Sequence, residues 1–148
     1  MPGKLTRLAV RVLDGAAKLT LRPPAGPPHL ETGRRGEEEA YFHLRRLGYV
    51  MVARNYRSPR HHGEVDLIGW DGDVLCFVEV KTRTTRAVMP AEAAVDAEKQ
   101  RDLEHVAREY LRRVAGSPAV RFDVVSVYLE EAAGAPEVTL FKNAFPMS

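Results

Sequence analysis

Residues 64–82 run Glu-Val-Asp-Leu-Ile-Gly-Trp-Asp-Gly-Asp-Val-Leu-Cys-Phe-Val-Glu-Val-Lys-Thr. Two strand-like runs flank Asp71-Gly72, and Asp-Gly between apolar runs is a strong hairpin signal. Side chains alternate along a strand. Glu64, Asp66 and Ile68 therefore share one face of the first strand, and Val65, Leu67 and Gly69 the other. On the second strand Leu75, Phe77, Glu79 and Lys81 share a face opposite Cys76, Val78 and Val80. With Asp71-Gly72 as a two-residue turn, Ile68 faces Leu75, Asp66 faces Phe77 and Glu64 faces Glu79. That common face is apolar near the turn and holds three carboxylates and one ammonium at its far end. Like charges facing each other across strands cost roughly 0.2–1 kcal/mol per pair, so the cluster needs a reason. A hard divalent cation, Mg²⁺ or Mn²⁺, supplies one, because it takes oxygen ligands and needs few carboxylates from the protein. Lys81 beside such an ion could orient a water or offset charge developing on phosphorus. This is a kit for hydrolysing a phosphodiester. The competing reading is a solvated strand end in which Lys81 pairs with Asp66 or Glu64.

Other residues extend the chemistry. Leu103, Val106, Ala107, Tyr110, Leu111 and Val114 form an apolar stripe at helical spacing. Traced backwards, the stripe reaches Lys99 and Gln100, so polar groups continue the buried face; an exposed helix start explains them equally. Glu37 opens a helix in a Glu37-Glu38-Glu39 run, where the helix dipole alone favours acids. Arg54, Arg57, Arg60, His61 and His62 precede the hairpin, and Arg83 and Arg86 follow it. Such cations could follow a phosphate backbone. His61 and His62 read as surface residues, since no cysteines complete a zinc set. Cys76 alternates with valines and reads as core. The chain contains no phosphate-binding glycine loop, dinucleotide fingerprint or Ser-His-Asp arrangement.

The elements that must position these groups follow from periodicity and turn residues. A helix is predicted over 36–47, stopped by Gly48, and strands over 49–56, 63–70 and 74–82. A helix over 91–114, kinked near Asp96, and strands over 120–129 and 138–141 complete the order α-β-β-β-α-β-β. This is an α/β domain, a mixed sheet flanked by helices. The 148 residues, 45% hydrophobic and 28% charged, suit one globular domain. A single cysteine excludes a disulfide scaffold and a zinc ribbon. No run approaches the roughly 18 apolar residues of a membrane span, and the expected setting is cytoplasmic. The net charge of +2 is uneven, because residues 1–35 carry seven Lys/Arg against Asp14 and Glu31. Residues 1–32 are thus expected to form a basic extension, with an amphipathic helical stretch (Leu5, Leu8, Ala9, Val12, Leu13, Ala16, Leu19) and a proline-rich linker over 22–28. Charges interrupt its apolar positions, which speaks against a secretory segment and for docking on a partner or an anionic surface. Residues 33–148 are expected to form the domain.

Residues 33 to about 127 resemble the YraN family of small bacterial proteins. The segments that carry the resemblance are Gly36-Glu37-Glu38-Glu39-Ala40, Leu47-Gly48-Tyr49, Arg54-Asn55-Tyr56-Arg57, Gly63-Glu64-Val65-Asp66-Leu67-Ile68, Phe77-Val78-Glu79-Val80-Lys81-Thr82-Arg83, Lys99-Gln100-Arg101 and Arg121-Phe122-Asp123-Val124-Val125. That family is predicted to have the PD-(D/E)xK, restriction-endonuclease-like fold and to be related to archaeal Holliday junction resolvases. The resemblance implies Asp66 as a metal-binding aspartate, Glu79 as a second ligand and Lys81 as the water-orienting or electrostatic lysine. It implies that Glu37 completes the metal site, that Gln100, or Lys99, is the polar residue of the following helix, and that Glu64 assists the metal or is structural. The expected function is a metal-dependent endonuclease acting on DNA, at branched or damaged structures, with Arg54, Arg57, Arg83 and Lys99 along the nucleic acid. The alternatives are a non-catalytic nucleic-acid-binding accessory protein in repair, recombination or uptake, and an adaptor docked through its arm. Symmetric cutting of two strands would call for a homodimer.

Overall fold

The structure, a computed structural model, describes residues 28–84, 95–130 and 134–148. The expected helical stretch and linker of the N-terminal arm lie outside these residues, as do Arg86 and Pro90. The elements are α1 (Pro28–Arg46), β1 (Val50–Arg57), β2 (Glu64–Asp71), β3 (Val74–Arg83), α2 (Ala97–Leu111), β4 (Ala119–Tyr128) and β5 (Glu137–Phe145). They follow the expected α-β-β-β-α-β-β order. The five strands form one mixed sheet in the order β1-β2-β3-β4-β5. Only β3 and β4 run parallel, because α2 lies between them in sequence and carries the chain back to the starting edge.

Alternation along β3 fixes the layers. Leu75 and Phe77 pack with Leu103, Val106 and Ala107 of α2. Cys76 and Val78 pack with Ala40, Tyr41 and Leu44 of α1. The helices thus cover opposite faces, giving three layers consistent with a restriction-endonuclease-like fold. Cys76 is core, and burial pushes its thiol up to about 12.

Three expectations need correction. First, α1 begins at Pro28 rather than at Gly36. Proline suits a first helical turn, and an Arg34–Glu31 ion pair at 2.6 Å braces the added turns. Gly36 lies inside the helix, where it passes β3 so closely that a Cβ would come 1.9 Å from Thr82 Oγ1. Second, the hairpin pairs Asp71 with Val74 and Ile68 with Phe77, so its two-residue loop is Gly72-Asp73, not Asp71-Gly72. Gly72, at φ +59°, takes the first central position, which a II′ turn reserves for glycine. The expected pairs Ile68–Leu75, Asp66–Phe77 and Glu64–Glu79 do not form. Third, α2 is shorter than expected and begins at Ala97, after the N-cap Asp96, whose carboxylate accepts from Lys99 N–H at 2.8 Å. The proposed kink is therefore a helix start.

One end of the sheet is pinned by buried charge. Asp123, fully buried, accepts from Arg121 Nε at 2.7 Å, from the Tyr49 hydroxyl at 3.1 Å and from Asn143 N–H at 3.0 Å. Arg121 also reaches Asp71 at 2.8 Å, which Lys142 pairs with at 2.9 Å. These contacts join β2, β4 and β5 to Tyr49, the residue just before β1, at the hairpin end. The opposite end is free to open.

Candidate metal centre

The sheet forks at that opposite end. Pairing between β2 and β3 stops at Leu67–Val78. Beyond it β2 stays with β1, through Val65–Tyr56 and Glu64–Arg57. β3 stays with β4 as far as Arg83–Tyr128. Within the fork the Asp66 carboxylate takes a role that a strand carbonyl would otherwise fill, accepting from Val80 N–H at 2.7 Å. Alternation also breaks here. Val65 and Ile68, three residues apart, pack in the same cluster beneath α2, while Leu67 packs under α1. The expectation that Glu64, Asp66 and Ile68 share one face therefore fails at Asp66. The break turns Glu64 and Asp66 toward α1.

Glu37, on the first buried turns of α1, meets them there. One oxygen each from Glu37, Glu64 and Asp66 lies within 4.8 Å of the others. Asn55 of β1 joins the group; with its amide turned so that the nitrogen rather than the oxygen faces the acids, it donates to Glu37 Oε2 at 3.0 Å and to Glu64 Oε1 at 2.9 Å. Glu79 approaches from β3 and is 6% exposed. Its Oε1 lies 3.3 Å from Lys81 Nζ and its Oε2 3.7 Å from Lys99 Nζ. Lys81 thus pairs with Glu79, not with Asp66 or Glu64 as the solvated-strand reading supposed. Lys99 Nζ also donates to the Glu64 carbonyl at 3.5 Å.

Crowding of like charge shows in the proton affinities. Burial, then the Glu79 charge, push Asp66 up to about 8; the Val80 N–H works against this and Glu37 adds to it. Burial and the Glu64 charge also raise Glu37, against the pull of Asn55 and Arg54. Glu79 Oε2 is buried without a hydrogen-bond partner, and an unsatisfied buried oxygen is costly. An all-oxygen donor set, mutual repulsion and an orphaned carboxylate oxygen together fit a hard divalent cation such as Mg²⁺ or Mn²⁺. Glu37, Glu64 and Asp66 would hold it.

The remaining residues singled out from sequence are distributed as follows. Gln100 donates its amide to the Val95 carbonyl at 2.9 Å, bracing the start of α2. Arg57 is ion-paired with Glu64 at 2.6 Å and remains largely exposed. Arg54 lies 4.5 Å above the Tyr41 ring. Arg83 ends β3, and its carbonyl accepts from Leu129 N–H at 2.8 Å. Lys99, read as a nucleic-acid contact, is held inside the carboxylate group. Asn55 carried no chemical signal of its own in the sequence; its only clue was its place in the Arg54-Asn55-Tyr56-Arg57 motif.

A family model described as the uncharacterised protein family UPF0102 matches residues 36–127, a segment that holds every residue of this centre. The chain belongs to the UPF0102 family. This is the group whose motifs the sequence resembles. A UPF0102 protein of Koribacter versatilis is 56% identical over 97% of this chain and 96% of its own length. Another, from Solibacter usitatus, is 48% identical over 76% of this chain and 84% of its own. One from Porphyromonas gingivalis is 41% identical over 80% and 87%. Among the described residues of this UPF0102 member, no helix is long and apolar enough to cross a membrane.

Proposed function

We propose that this UPF0102 protein is a metal-dependent endonuclease that hydrolyses DNA phosphodiester bonds, with branched or damaged DNA as its substrate. One observation carries the reading: the β2–β3 fork gathers Glu37, Glu64 and Asp66 within 4.8 Å, while Glu79 holds the Lys81 ammonium at 3.3 Å on the adjoining strand. A divalent ion bound by these carboxylates would supply Lewis-acid charge and acidify a bound water. The protein's own groups do the rest. Glu79 fixes the position of the Lys81 ammonium, which offsets charge developing on the phosphoryl oxygens. Lys99, held by Glu79 and the Glu64 carbonyl, adds a second positive charge from α2. Arg57 and Arg54, both exposed on β1, can follow the strand on either side of the scissile bond.

The test is cleavage of labelled linear duplex, single strand, flap and four-way junction, with Mg²⁺, Mn²⁺ or chelator. The expected result is metal-dependent cutting that Lys81→Ala and Asp66→Ala abolish. No cutting on any substrate, with salt-dependent DNA binding unchanged in both variants, overturns the nuclease reading in favour of an accessory role.

A further inference from the structure

Asn55 stands where the two halves of the centre meet. It lies within β1 at φ +49°, a left-handed conformation that asparagine tolerates better than most residues. Its backbone turn coincides with the break in alternation on both strands. Arg54, just before it, lies over Tyr41 of α1. Tyr56, just after it, meets Tyr110 of α2 edge-on at 5.1 Å. Two successive side chains, Arg54 and Asn55, thereby reach the α1 side of the sheet. The Asn55 amide carries two hydrogens and spends one on Glu37 and one on Glu64. Glu37 comes from the helix and Glu64 from the strand, so a single neutral group ties the two elements together.

Neutrality matters. A lysine or arginine here would also satisfy both carboxylates, but its charge would compete with a cation for them. The amide fixes the rotation of each carboxylate through one oxygen, while the other Glu64 oxygen, Oε2, pairs with Arg57 Nε at 2.6 Å at the exposed side. We infer that Asn55 is a positioning residue that sets the Glu37–Glu64 spacing for a divalent, oxygen-ligated cation. The inference rests on the metal reading above and adds to it a residue that reads the cation indirectly.

The test is calorimetric titration of the full chain with Mn²⁺, comparing the protein with Asn55→Gly. Glycine keeps the left-handed backbone at no steric cost and removes the short side chain that carries the amide. Loss of such a supporting hydrogen bond weakens metal binding by roughly 10–100-fold, and that is the expected result. Equal Mn²⁺ affinity in the two proteins overturns the inference and leaves the metal reading standing. No Mn²⁺ binding by the unsubstituted protein overturns the metal reading and this inference with it. Asn55→Asp, isosteric and equally tolerant of the backbone, replaces the donor by an acceptor. Its melting temperature in chelator should fall, and Mn²⁺ should raise it by more than in the unsubstituted protein. A melt unchanged in chelator overturns the inference independently.

Discussion

Asp66→Asn gives the sharpest test of the crowded carboxylates. Asp66 is held near 8 in the fold and titrates near 3.9 in an unfolded chain. Between these values the folded protein keeps a proton that the unfolded chain has released. Stability therefore falls as pH rises through this window, by about 1.4 kcal/mol per pH unit for one proton. It is unaffected by this group below about pH 4, and the loss is complete above about pH 8. Asparagine reproduces the protonated acid, because its oxygen can accept from Val80 N–H and its nitrogen can donate to Glu79. The variant should therefore lose this pH dependence. Urea unfolding in chelator at pH 5, 6 and 7 measures the difference. With a slope of about 1–3 kcal/mol per molar urea, the gap between the two midpoints should shift by roughly 0.5–1.4 M per pH unit. Adding Mg²⁺ at pH 8 to about ten times its dissociation constant should restore about 1.4 kcal/mol to the unsubstituted protein and nothing to the variant. Parallel pH profiles, or an equal response to Mg²⁺, would refute the reasoning.

Two further perturbations probe the framework. Gly36→Ala gains helix propensity worth about 1 kcal/mol, but its Cβ would collide with three side-chain atoms of Thr82, the nearest at 1.9 Å. We expect a net loss of about 1–2 kcal/mol, read from the urea midpoint, with weaker Mn²⁺ binding because Glu37 moves with the helix. Full stability with unaltered metal affinity would show that α1 can shift without cost. Arg121→Met leaves the fully buried Asp123 without its main partner. Breaking a buried pair in this way costs about 3–5 kcal/mol, and a loss of unfolding free energy under about 1 kcal/mol in urea would show that Tyr49 and Asn143 suffice.

The elements were legible in the sequence because their signals are local. Periodicity gave the order of elements along the chain, the hairpin and the stripe from Leu103 to Val114, since each depends on neighbours within a few residues. The hairpin register was wrong by two residues, yet Ile68 and Phe77 still fell on one face, because strand alternation repeats every two residues. The α1 start was misplaced because Gly36 looks like an interruption until Thr82 is seen to need the space.

The site divides the same way. The types Glu64, Asp66, Glu79 and Lys81 pointed by their spacing to a carboxylate cluster suited to a hard cation, and family motifs added Glu37. Which of them gather was decided in three dimensions. The fork beyond Leu67–Val78 and the alternation break at Asp66 depend on β1 and β4 drawing the two strands apart, which no spacing within the hairpin encodes. Lys99 and Asn55 join only because α2 and β1 lie against that opening, 35 residues after Glu64 in one case. Sequence fixes which groups are present and how each element repeats. Only packing of distant elements sets which oxygens face one another, because the energy that selects that arrangement is shared among contacts far apart in the chain.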